Sequence, residues 1–152
     1  MSFSISVQVG DFNVGEEYNH LTANNTSAGA VVFFVGRVRG ASGDGCVTEL
    51  SLEHYPGMTE KVLQQILEES QSRWQLIAAR IVHRVGDLSP GDHIVFVGTV
   101  SAHREHAFQS AEFIMDILKT TAPFWKKEMN EKGEVNWLSA AEKDVKKAER
   151  WD

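Results

Sequence analysis

His103 and Arg104, in the stretch VSAHREHAF at 100–108, follow a run that reads as a buried strand and precede one that reads as a helix. Cations at a helix N-terminus oppose its macrodipole, at a cost of about 0.3–1 kcal/mol unless an anion binds there too. Arg37 and Arg39 close the strand-like GAVVFFVGRVRG, where a two-residue period points both to one face. Lys119 borders the apolar arc of the second long helix, and Lys126 and Lys127 follow PFW. Alternation sends those two lysines to opposite faces of a strand, so one of them shares a face with Phe124. These are the residue types that hold phosphates and carboxylates by charge-assisted hydrogen bonds. Each also has a plainer role: the arginines as solvated strand ends, His103 as a hydrogen-bonded structural group, Lys119 as a snorkelling side chain.

Other chemistries find less support. His103 and His106 lack a third ligand or a cysteine pair, so no metal is expected. Cys46, the single cysteine, stands near Asp44 with no partner base, which makes it a weak nucleophile and rules out an intrachain disulfide. No P-loop or nucleophile–base pair suggests a phosphate-ester hydrolase. The net charge of −6 argues against a nucleic-acid binder, and no stretch resembles a signal peptide or membrane span, which suggests a cytoplasmic protein. The charge is uneven: residues 1–100 carry 6 Lys+Arg against 11 Asp+Glu, and residues 101–152 carry 9 against 10. A local anion site built from the later residues fits that balance.

The elements that must position these side chains can be read from periodicity. SISVQV (4–9) alternates as a strand, VGEEYNHL is a short helix, and TANNTSAG is a turn. Val31–Val35 is continuously apolar, as expected of a strand covered on both faces; GASGDG reads as a mobile loop, and CVTELSLEHY as a returning partner strand. PGMTEKVLQQILEESQSRW is an amphipathic helix. IAARIVHRVG and HIVFVGTVSA should pair as a hairpin across DLSPGD. The helix from about Arg104 to Thr121 is apolar over more than half its circumference, since Phe113 and Ile117 fall outside the arc of Ala107, Ala111, Ile114 and Leu118. Such a helix is packed on two sides, inside a layered fold or against another chain. A small hairpin at about 122–138 and a closing helix, with Ser139 as its cap, complete an α+β fold in one domain spanning 1–152.

Together LEHYPGMTEK (52–61), HRVGDLSPGD (83–92), SAHREHAF (101–108), FIMDILKTTAPFWKKE (113–128) and GAVVFFVGRVRG (29–40) resemble the large, catalytic subunit of molybdopterin synthase over nearly the whole chain. The resemblance implies an α/β hammerhead fold with a small additional antiparallel β subdomain. It also implies a central homodimer, each end of which binds a small ubiquitin-like sulfur-carrier subunit in a heterotetramer. The implied reaction converts a cyclic pyranopterin monophosphate to molybdopterin, with two sulfurs delivered from the carrier's C-terminal thiocarboxylate to form the dithiolene. The thiocarboxylate is then the nucleophile, and no cofactor or metal is called for. The matching substrate-binding positions are Arg37, Val38, Arg39, His103, Arg104, Lys119, Lys126, Lys127 and Glu128, with Lys119, Lys126 and His103 as the catalytic ones. Where the family often carries an arginine after the tryptophan, this chain has Ala141.

Arg39, His103 and Arg104 would bind phosphate and pterin, with His103 as proton donor; Lys119 and Lys126 would face the carrier terminus, Lys119 with a pKa lowered by desolvation. Arg104 and Lys119 are nevertheless fifteen residues apart, about 22 Å along a helix axis. A small pterin cannot bridge that span in one chain, so a symmetric dimer is expected to bring one protomer's helix start to the other's helix end. The competing reading is a non-catalytic anion-binding or scaffold protein.

Overall fold

The computed structural model describes residues 2–42, 45–138 and 142–152. Its elements run β1 (Phe3–Gln8), α1 (Val14–Thr22), β2 (Ala30–Arg37), β3 (Ala41–Ser42), β4 (Gly45–His54), α2 (Met58–Arg73), β5 (Ala78–Arg84), β6 (Gly86–Leu88), β7 (His93–Ser101), α3 (Arg104–Thr121), β8 (Phe124–Asn130), β9 (Val135–Leu138) and α4 (Glu142–Glu149). One sheet has the order β1-β5-β7-β2, with β1 parallel to β5 and the other pairs antiparallel. β5 and β7 form the expected hairpin.

The two inner strands present apolar residues on both faces because helices cover both, with Arg80 of β5 as a charged exception. Ala79, Ile81, Val95 and Val97 meet Leu63, Ile66 and Leu67 of α2 and Phe113, Ile114 and Leu118 of α3. On the opposite face Ala78, Val82, Phe96 and Val100 meet Phe12 and Leu21. Gly98 has no side chain because one would run into Leu21, so the glycine lets α1 settle on the sheet. Asn13 caps α1 by accepting from the Glu16 N–H at 2.9 Å, and Arg80 of β5 pairs with Glu17.

β2 departs from its expected burial. It is the edge strand, and the adjacent Phe33 and Phe34, on opposite faces, are 45% and 44% exposed. An apolar run therefore marks an uncovered edge here and not a doubly covered strand. β4 also departs, since it pairs with β8, β6 and β3 and not with β2. The small hairpin of β8 and β9 is joined through β4 to a second sheet, whose inner face packs Leu50, Leu52, Leu88 and Val38. Within the expected GASGDG loop, Ala41 and Ser42 pair with Cys46 and Gly45. Ser139 and Ala141 lie outside the described residues. The mixture of helices with mainly antiparallel strands is an α+β fold. Among the described residues no helix is long and apolar enough to cross a membrane.

Candidate active site

α3 starts where β7 ends and runs back along it, so its two ends lie at opposite ends of the first sheet. His103, in extended conformation, is the N-cap of α3 and makes no side-chain cap bond; Arg104 follows, and both are exposed. The N–H groups of the first turn thus have no protein side-chain cap from His103. Lys119 is fifteen residues on, about 22 Å along the axis. One chain therefore does not gather all its candidate cations into one place.

At the far end a compact group forms. Lys119 Nζ stands 3.9 Å from Asp144 Oδ2 of α4, the lysine side chain 44% exposed and the carboxylate 17%. Lys126 of β8 is more enclosed. Burial pulls its pKa below the usual lysine range, the charge of Lys119 pulls further, and Asp144 partly opposes both. The desolvated lysine is therefore Lys126, on the strand face shared with Phe124, while Lys119 stands nearer solvent. Behind Lys126, His83 stacks on Phe124 with 3.8 Å between centroids, and His54 lies 6.5 Å from the same ring. His83 bonds through Nδ1 to the Arg84 carbonyl at 2.8 Å. Burial pushes its pKa down to about 4, helped by the nearby charges of Lys126 and His54. His83 is thus neutral at ordinary pH and, stacked on Phe124, forms an uncharged wall beside Lys126.

The other expected residues divide. Arg37 and Arg39 are exposed on either side of buried Val38, and Arg37 Nε donates to the Gly91 carbonyl at 3.2 Å. Val38 has its side chain in the core, its N–H donates to Asp92 O at 2.9 Å, and its carbonyl accepts from Gly91 N at 2.8 Å. Its buried side chain anchors the stretch that carries the two arginines. Strand alternation sends Lys127 to the opposite face from Lys126, where its ammonium lies 5.4 Å from the Trp137 ring centroid. Glu128 shares the face of Lys126 by the same alternation.

A groove of about 480 Å³ runs from Lys119, Asp144 and Lys147 along α3 to Phe108, with Val32, Phe33 and Phe34 of β2 on its other side. Phe108 is 61% exposed. Its charged residues are Lys119 and Lys147 together with the carboxylates Glu112, Asp116 and Asp144, and its exposed aromatic end is a surface suited to another protein.

Asp144, His83 and His54 were missed by sequence reasoning. His83 follows Ala79 and Ile81 on an otherwise apolar face of its strand, which is a usable signal. Asp144 lies in a Lys/Glu-rich helix that offers none.

The family model described as MoaE protein matches residues 7–121. The chain is 50% identical over 152 residues to the molybdopterin synthase catalytic subunit of Vibrio cholerae, covering 100% of both. It is 52% identical over 140 residues to that of Escherichia coli strain K12, covering 92% of each. Among solved structures, molybdopterin cofactor biosynthesis protein E from Burkholderia multivorans aligns at a TM-score of 0.83 with 48% identity, covering 99% of this chain and 97% of that one. Molybdopterin synthase from Staphylococcus aureus aligns at 0.81 with 33% identity, covering 88% and 96%. A match over most of the chain, with relatives this similar along their whole length, means that the chain belongs to the MoaE protein family.

Proposed function

We propose that this chain is the catalytic subunit of a molybdopterin synthase, acting in molybdenum cofactor biosynthesis. It converts a cyclic pyranopterin monophosphate to molybdopterin, taking one sulfur from the C-terminal thiocarboxylate of each of two copies of a small ubiquitin-like carrier. The observation that carries this reading is the lysine pair: Lys119 and Lys126 lie close enough to interact, Lys126 desolvated and Lys119 at one end of a groove with an apolar aromatic far end.

Both reactants are anions, so the site must supply fixed positive charge to hold them together. Lys119 and Lys126 neutralise the carrier's thiocarboxylate, whose sulfur attacks a pterin side-chain carbon and displaces its oxygen to leave a carrier–pterin thioester. When water adds to the acyl carbon the two lysines stabilise the oxyanion, and cleavage of the acyl C–S bond leaves sulfur on the pterin and a carboxylate on the carrier. The sulfur is the nucleophile. Arg39, with Arg37 beside it, and His103 with Arg104 bind phosphate and pterin; His103 donates a proton to the leaving oxygen. Glu128 stands on the Lys126 face of β8, where it would contact bound substrate.

His103 and Arg104 reach this site from a second copy of the chain. β2 has a free edge, and Phe33, Phe34 and Phe108 are exposed around it. A twofold axis across the groove would run the two α3 helices antiparallel, setting the start of one beside the end of the other. The carrier would occupy each outer end of this dimer.

The test combines the chain, thiocarboxylated carrier and precursor, with mass spectrometry of the pterin. The expected result is a product carrying two sulfurs, the carrier returned as carboxylate, and at least a 100-fold loss in Lys119→Ala or Lys126→Ala, the scale of removing one preorganised electrostatic group. An intact thiocarboxylate and unchanged precursor would overturn the reaction and favour an anion-binding scaffold.

A further inference from the structure

Asp144 is the carboxylate that acts on both lysines: its Oδ2 is 3.9 Å from Lys119 Nζ, and its charge reaches Lys126. It rides on α4, a helix of 8 residues from Glu142 to Glu149 whose placement comes from the chain end beyond it. Arg150 bonds Glu112 at 2.6 Å and Asp116 at 2.8 Å, and Trp151 Nε1 donates to Asp116 Oδ2 at 2.8 Å. The Trp151 ring stands edge-on to Trp74 and Phe113, each at 5.5 Å. Asp116 and Lys119 are one turn apart on α3, so the latch that fixes α4 is tied to the helix that carries one of the lysines.

We propose that Asp144 is a positioning residue of this site, holding Lys119 and Lys126 as adjacent ammonium groups that would otherwise repel each other. The Asp144 carboxylate favours the charged form of both lysines, which keeps them cationic for an anionic carrier terminus. The catalytic consequence rests on the reaction proposed above; the electrostatic claim does not. The groups facing the pair are Asp144 and Lys147 from α4, His83 from β5, His54 from β4 and Glu128 from β8 itself.

The test is an NMR titration of Lys126 in protein labelled at lysine Cε, together with the pH profile of kcat for the complete enzyme. Asp144→Asn should lower the Lys126 titration by about one pH unit, the order expected on losing an opposite charge near a buried ammonium. The alkaline limb of kcat should move down with it, and Asp144→Glu should restore most of both. If Asp144→Asn does not fold, Arg150→Ala, which loosens α4 and leaves Asp144 present, should shift Lys126 in the same direction. An unmoved Lys126 in whichever variant folds overturns the proposal. Absence of turnover in the unaltered protein would count against the reaction alone, because the titration reads the role of Asp144 without it.

Discussion

The imidazole of His83 lies flat on the phenyl ring of Phe124, 3.8 Å between centroids and 15° from parallel. Lys126, two residues along the same strand face, is near enough for its charge to help keep that imidazole neutral. The stack is thus both a packing contact and the floor of the lysine site.

It makes stability fall in acid. The folded-state pKa of His83 is about 4 against an ordinary 6.5, so only the unfolded chain takes up the proton between those values. The His83 contribution is complete above pH 6.5, is lost as pH falls toward 4, and stays lost below. The change amounts to at most about 3 kcal/mol. Urea unfolding at pH 7, 5 and 4 should show this loss, and His83→Phe should reduce it. Equal losses in both proteins would contradict the assignment.

Lys126 carries the opposite trade. Burial disfavours its charged form in the folded protein, so the fold gains stability as pH rises through the depressed pKa toward the ordinary lysine value. Lys126→Met removes that cost at neutral pH. The variant should be more stable by up to about 1 kcal/mol, seen as a melting point a few degrees higher, while turnover falls by about 100-fold or more. A lower melting point would show that the ammonium contributes to the fold instead.

The exposed aromatics predict association. Phe34→Asp puts a charge on the free edge of the first sheet, outside the buried core. Sedimentation should show monomers where the parent protein shows dimers, with secondary structure kept and turnover reduced at least tenfold, because desolvating an unpaired carboxylate at an interface costs several kcal/mol. A dimer that persists with full activity would place the interface elsewhere.

The sequence made local structure legible and left long-range neighbours hidden. Alternation in IAARIVHRVG and HIVFVGTVSA identified the β5–β7 hairpin, and the wide apolar arc of α3 was read correctly as packed on two sides. Val31–Val35 misled because an edge strand with aromatic residues has the same local pattern as a covered one; only strand order tells them apart. CVTELSLEHY was a sound strand, but its true partner, β8, lies some seventy residues further along, beyond what a local pattern reports. The site behaved in the same way. The spacing of PFWKK showed that one lysine shares a face with Phe124, while the burial of Lys126 depends on β5 and α4 closing around it. Asp144 became visible only when Arg150 and Trp151 fixed the last helix on α3.

The most direct test of the account mixes two inactive chains. If one pocket takes His103 from one protomer and Lys119 from its partner, a heterodimer of His103→Ala and Lys119→Ala chains contains one intact pocket and one doubly altered pocket. Random exchange should then restore about a quarter of wild-type turnover in the sulfur-transfer assay. Activity no higher than that of the two parents, in a mixture shown by mass spectrometry to contain heterodimers, would contradict the shared pocket.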